Sequence, residues 1–177
     1  MTFGITQAEG VTAVPGGFGG LGSVYGSFQN LTSLTGSTTV GSVITYDTDD
    51  YNGAGHVTLA LGSRITVPNT GVYNLQFSAQ LSSLDNAPQD VYIWARINGV
   101  DVPRSNGIVG LNAKKNPSDP FHIIASWNLF LSMDADQYVE LVWYKTSADV
   151  TMAAYSGSST PVYPSIPSII VTINQIG

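Results

Sequence analysis

No cysteine occurs in this sequence, which removes both a disulfide framework and any thiolate metal site. Charge is scarce as well. Lys, Arg, Asp and Glu together make up 10% of the chain, against roughly 25% in an ordinary soluble domain. A lone globule uses charge to stay in solution, so a surface this poor in it implies cover by other chains. Basic residues are the scarcest, 6 against 12 acidic for a net charge of −6. That balance argues against nucleic acid as a partner, because phosphate binding is carried by clustered Lys and Arg. Only Lys114-Lys115 adjoin, in a polar stretch. No apolar run approaches the roughly 20 residues of a spanning helix, so no membrane insertion is expected. The start, MTFGITQAEG, lacks a basic segment followed by an apolar one, so no secretory leader is expected and synthesis in a cytoplasm is. Amphipathic helical periodicity is missing too, and with it any strand–loop–helix cradle for phosphate.

What is present is a period of two. In 72–82, Tyr73, Leu75, Phe77, Ala79 and Leu81 alternate with Asn74, Gln76, Ser78 and Gln80, the pattern of a strand with one face in a core. Similar runs occupy 42–46, 56–61, 64–67, 91–97, 122–133, 138–144, 150–155 and 169–173, with Pro, Gly, Asn and Asp between them. Asn98-Gly99, directly after 91–97, is a two-residue hairpin signal. These runs predict an all-β protein, a jelly-roll sandwich of about ten antiparallel strands.

Three runs are apolar on both faces. Val91, Ile93, Ala95 and Ile97 oppose Tyr92 and Trp94; Val139, Leu141 and Trp143 oppose Tyr138, Val142 and Tyr144; Ile124 and Phe130 oppose Trp127, Leu129 and Leu131. A monomeric sandwich needs only its inner faces apolar. The outward Tyr92, Trp94, Tyr138 and Tyr144 therefore read as a trimer interface, since Tyr and Trp are enriched where subunits meet. Trp127 is placed inside the sandwich.

Residues 1–36 read differently, as an extended arm before a domain over 37–177. They are rich in Gly, Ser and Thr, yet Phe3, Ile5, Phe18 and Leu21 punctuate them irregularly, as anchors dropping into separate pockets of a neighbouring subunit would. Each such anchor adds roughly 1.5–3 kcal/mol when buried. The domain is expected to fold and assemble without this arm.

Residues able to carry chemistry are few. His56 and His122 are the only histidines, and Glu9 and Glu140 the only glutamates. Nothing resembles a nucleophile elbow or a carboxylate pair for glycoside hydrolysis. The stretch Asp47-Thr48-Asp49-Asp50-Tyr51-Asn52-Gly53 has something of a calcium loop, but Tyr51 stands where an oxygen ligand is required and no glutamate follows. It reads as a polar turn, as does Asp134-Ala135-Asp136. No enzyme activity, cofactor or tightly held metal is expected.

The stretch Ile65-Thr66-Val67-Pro68-Asn69-Thr70-Gly71-Val72-Tyr73-Asn74-Leu75-Gln76-Phe77 resembles the Pro-x-x-Gly-x-Tyr-x-Phe strand of the tumour necrosis factor and complement globular-head jelly rolls. With Val91-Tyr92-Ile93-Trp94-Ala95-Arg96-Ile97-Asn98-Gly99, Trp127-Asn128-Leu129-Phe130-Leu131, Tyr138-Val139-Glu140-Leu141-Val142-Trp143 and the final Pro164–173 segment, the chain is similar to bacteriophage virion proteins of that type over about 40–177. The resemblance implies a homotrimer with apolar side chains filling its axis, and supplies no catalytic residues. It also implies a place on the virion, as a capsid decoration or cement protein contacting the major capsid protein and stabilising the shell. The alternative is a receptor-binding head of a tail fibre or head fibre, recognising a host-surface receptor through loops such as 110–120. With no shaft repeat present and a punctuated arm in front, the cement role is the expectation.

Overall fold

A computed structural model describes residues 24–51 and 56–177. Its strands, in chain order, are β1 (Tyr25–Asn30), β2 (Ser42–Val43), β3 (Thr48–Tyr51), β4 (Thr58–Ala60), β5 (Arg64–Thr66), β6 (Gly71–Ser83), β7 (Gln89–Ile97) and β8 (Val100–Asp101). There follow β9 (Gly107–Leu111), β10 (Phe121–Met133), β11 (Tyr138–Lys145), β12 (Val150–Met152), β13 (Ser158–Ser159), β14 (Val162–Tyr163) and β15 (Ile169–Gln175). One sheet runs β10-β6-β15-β1-β3, with β12 also against β6; the other runs β4-β5-β11-β7-β8, with β2 on β11 and β9 on β7. The protein is all-β and antiparallel, and no helix occurs among the described residues. Eight strands make the two layers, β10-β6-β15-β1 facing β5-β11-β7-β9. The chain crosses between layers from β1 through β5 and β6 to β7, and again from β9 through β10 and β11 to β15. That path is a jelly roll.

Alternation decides which side chains meet between the layers. Tyr73, Leu75, Phe77, Ala79 and Leu81 of β6 are buried, facing Val91, Ile93 and Ala95 of β7 and Val139, Leu141 and Trp143 of β11. Trp127 of β10 points inward as expected, half-buried, its ring edge-on to Phe77 at 4.6 Å between centroids. The Asn98-Gly99 turn closes β7 onto β8, with φ of 49° and 81° and Ile97 opposite Val100. Those positive values suit the tight hairpin turn, and Asn and Gly adopt them at least cost.

The expected boundary at residue 37 is corrected by the structure. β1 pairs with β15 along all six of its residues, Tyr25 against Asn174 through Asn30 against Ile169. Phe28 is completely buried. The chain beyond it stays bound, since the Leu34 and Met152 backbones exchange N–H···O bonds of 2.8 and 3.1 Å. Gly36 lies directly on Trp143, where an added Cβ would meet the indole at 2.6 Å. Residues 24–36 are thus part of the domain. They read as arm because β1 carries one large inward side chain, Phe28, in a setting of Gly, Ser and Thr. Phe3, Ile5, Phe18 and Leu21 lie outside the described residues.

Phe28→Ala is expected to lower the unfolding free energy by about 3–5 kcal/mol, as for other fully buried phenylalanines. Urea unfolding measures it, and a loss below about 1 kcal/mol would place β1 outside the core.

Candidate functional site

Two broad sheet faces look outward, and the sequence directs attention to the one on β5-β11-β7-β9. Pairing of β11 with β7 sets Tyr144 opposite Tyr92, Val142 opposite Trp94 and Glu140 opposite Arg96. Tyr92, Trp94, Tyr138 and Tyr144 therefore share this face. Each is half-buried by its own chain. Tyr92 and Tyr144 pack ring on ring at 5.7 Å, and the Arg64 guanidinium lies 4.4 Å from the centre of the Tyr138 ring. Trp94 is covered by the backbone at Gly41, where a Cβ would sit 2.6 Å from the indole. Its Nε1–H donates to Asp101 Oδ1 at 2.8 Å, and Arg96 Nε donates to the same oxygen at 2.9 Å. These two bonds hold the Asp101 carboxyl below its ordinary range, the Trp94 bond contributing most.

The opposite face, on β10-β6-β15-β1, is of another kind. Gln29, Ile170, Ser78 and Ser126 form one cross-strand row; Ser27, Thr172, Gln76 and Asn128 the next; Tyr25, Asn174, Asn74 and Phe130 the third. None of these side chains is charged. Apolar groups stand in the open among the amides and hydroxyls, Phe130 with 65% and Ile124 with 59% of its surface exposed. A shallow trough crosses the middle row beside Gln76, Ser126 and Asn128. Solvated strand faces ordinarily use Lys and Glu to stay single. In sequence, Asn74, Gln76, Ser78 and Gln80 read only as the wet half of a strand. The signal available there was the lack of charge along four successive outward positions.

The remaining chemistry-bearing residues have local roles. Asp47 accepts the Leu31 N–H at 2.9 Å and the Thr48 hydroxyl at 2.9 Å. The acidic segment after it is not a turn: Thr48–Tyr51 is the edge strand β3 on β1, and Asp50 accepts from the Gln29 amide at 2.8 Å. Charge on an edge strand discourages the addition of a further strand there. Glu140 is buried, accepting the Ser63 hydroxyl at 2.8 Å with Arg64 Nε at 3.7 Å. Burial, reinforced by the Glu140 carboxylate, raises the Tyr46 phenol far above its usual range. The His56 ring packs against Tyr25 with centroids 4.6 Å apart and planes tilted by 56°, and His122 Nδ1 lies 3.3 Å from the Tyr155 hydroxyl. Asp134 and Asp136 do bracket a turn, in which Asp136 takes a φ of 65°. In the 110–120 segment Lys115 pairs with Asp119 at 3.7 Å. Among the described residues, no three His, Asp or Glu side chains gather as a metal site would need.

No protein-family model matches this chain, and no curated protein matches it. Among solved structures it is similar to the globular domain of zebrafish complement 1qA protein, with a TM-score of 0.49 and 10% identity, over 88% of this chain and 98% of that one. At that identity the likeness concerns fold and says nothing of role.

The Asp101 cluster titrates. A carboxyl whose folded value is depressed contributes stability above its unfolded value and loses it as pH falls through the lowered one. Trp94 fluorescence is therefore expected to change only below the ordinary carboxylate value of 3.8. Asp101→Asn should remove that step, and an acid transition identical in the variant would detach Asp101 from Trp94.

Proposed function

We propose that this domain is a non-enzymatic structural module that associates with copies of itself into a homotrimer, and that it serves on the surface of a bacteriophage virion as a capsid decoration or cement protein. The observation that carries the self-association is the charge-free β10-β6-β15-β1 face. Amides and hydroxyls facing a second copy find partners of the same kind, and no charge has to be desolvated. Phe130, Ile124, Ile170, Val72 and Tyr25 supply apolar area that water would otherwise hold. A chain with 10% charge gains solubility by covering this face. The aromatic face of Tyr92, Trp94, Tyr138 and Tyr144 is a second reading of the interface, favoured by its four rings. It ranks behind because each ring already has partners within the chain.

The virion role rests on the resemblance of the sequence motifs and on residues 1–22. Phe3, Ile5, Phe18 and Leu21 suit insertion between capsid subunits, a reading drawn from the sequence alone. The non-enzymatic reading has its support in His122, Glu140, Asp47 and Asp101, which are occupied by hydrogen bonds and ring contacts that build the domain.

Sedimentation equilibrium at micromolar concentration is expected to give a trimer. Phe130→Asp should give a folded monomer and Trp94→Asp should remain trimeric. The reverse pattern moves the interface to the aromatic face, and a monomeric wild type ends the self-association reading.

Deleting residues 1–22 should leave the trimer intact and abolish its binding to capsids. A truncated protein that decorates capsids at full occupancy would remove these residues from the mechanism. One that retained binding to host cells would indicate the receptor-binding head instead.

A further inference from the structure

Between β12 and β15 the chain makes an excursion over the end of the charge-free sheet. Strands β13 and β14 pair there, Ser158 against Tyr163 and Ser159 against Val162. The base of this hairpin is tied by reciprocal backbone bonds between Tyr155 and Ile166, 2.9 and 2.8 Å long. Gly157 allows it to close tightly, since a Cβ there would sit 2.7 Å from the Tyr163 carbonyl oxygen. The hairpin and the sheet enclose a cleft of about 400 Å³ lined by Gln80, His122, Tyr155, Ser156, Tyr163 and Ile166. That volume falls in the lower part of the range for small-molecule sites, roughly 300–1,000 Å³.

We propose that this cleft binds a neutral saccharide. Its two walls differ in a way that matches a sugar ring. The tyrosine rings and Ile166 offer apolar surface to the C–H face of a pyranose. Tyr155 is held in place by His122, whose ring meets it at 87° and 5.6 Å between centroids, and by the 3.3 Å contact from Nδ1 to the phenol oxygen. The polar groups are of one chemical type. The Gln80 amide and the Ser156 and tyrosine hydroxyls can each donate and accept hydrogen bonds. A sugar hydroxyl also does both. A carboxylate or phosphate ligand would call for Lys or Arg and an ammonium ligand for Asp or Glu, and among the described residues none of these lines the cleft. A lipid or steroid would leave the amide and hydroxyls unsatisfied once water was displaced.

The site goes beyond the proposed trimer and does not depend on it. Gln80 stands opposite Ile124 and six positions along β6 from Asn74, roughly 20 Å at strand rise, so the cleft borders the Ile124 end of the face that holds Phe130 and Asn74 in one row.

The test is saturation-transfer difference NMR on the full chain with methyl α-D-glucopyranoside, methyl β-D-galactopyranoside and N-acetylglucosamine as probes. At least one is expected to receive saturation on its ring protons. Tyr163→Ala removes an exposed ring and leaves the core untouched, and should weaken binding by about tenfold or more. Tyr155→Phe, which keeps the ring and loses one hydroxyl, should weaken it by about threefold. No transfer to any of the three at about 10 mM, a concentration that would populate even a weak site, overturns the proposal. So does binding that Tyr163→Ala changes by less than about threefold.

Discussion

The structure depends on one strand and its period. β6 lies inside its sheet, paired with β10 over thirteen register positions and with β15 over seven. Its odd-numbered residues from Tyr73 to Leu81 fill the space between the layers, and its even-numbered residues from Asn74 to Gln80 define the outward face. A slip of one residue would exchange the two sets and bring four amides and hydroxyls into the core. The thirteen-residue ladder with β10 opposes that slip, because Ile123, Ala125, Trp127, Leu129 and Leu131 on β10 face the same way as Leu81, Ala79, Phe77, Leu75 and Tyr73 opposite them. Core and charge-free outward face are therefore two sides of one register.

Charge is placed around that strand rather than on it. Asp49 and Asp50 sit on the edge strand β3, Lys115 and Asp119 in the loop before β10, Arg96 and Asp101 on the other layer. The two outward faces thereby become chemically distinct. One is aromatic, with ion pairs and internal partners for each ring. The other carries amides, hydroxyls and exposed apolar groups such as Phe130 and Ile124. Only the second leaves large apolar groups mostly in the open, Phe130 and Ile124 above all.

Much of this was legible in the sequence wherever alternation ran long enough. The β6, β7, β10 and β11 segments, the Asn98-Gly99 hairpin and the inward direction of Trp127 follow from period and turn chemistry. β1 did not, because six residues with a single large inward side chain look like the glycine-rich stretch before them. Phe28 reveals itself only against β15, some 140 residues later in the chain. β3 reads as a turn in sequence because three of the four residues from Asp47 to Asp50 are acidic, a pattern that resembles one. An edge strand needs no apolar face, so composition could not separate the two. The cleft over β6 and β10 was illegible for a related reason. It joins Gln80, His122 and Tyr163 from three distant segments, and no spacing encodes them.

The most direct measurement of the central claim uses the absence of native cysteine. Ser126→Cys places the only thiol of the chain midway along β10 on the charge-free face, and Thr58→Cys places one on the exposed surface of the other sheet. Maleimide labelling at micromolar protein is predicted to be slow at position 126 and fast at position 58, with the rate at 126 rising on dilution as the assembly dissociates. Equal, concentration-independent labelling at both positions in folded protein would contradict the account, since the face would then be open water and its lack of charge would have no partner to explain it.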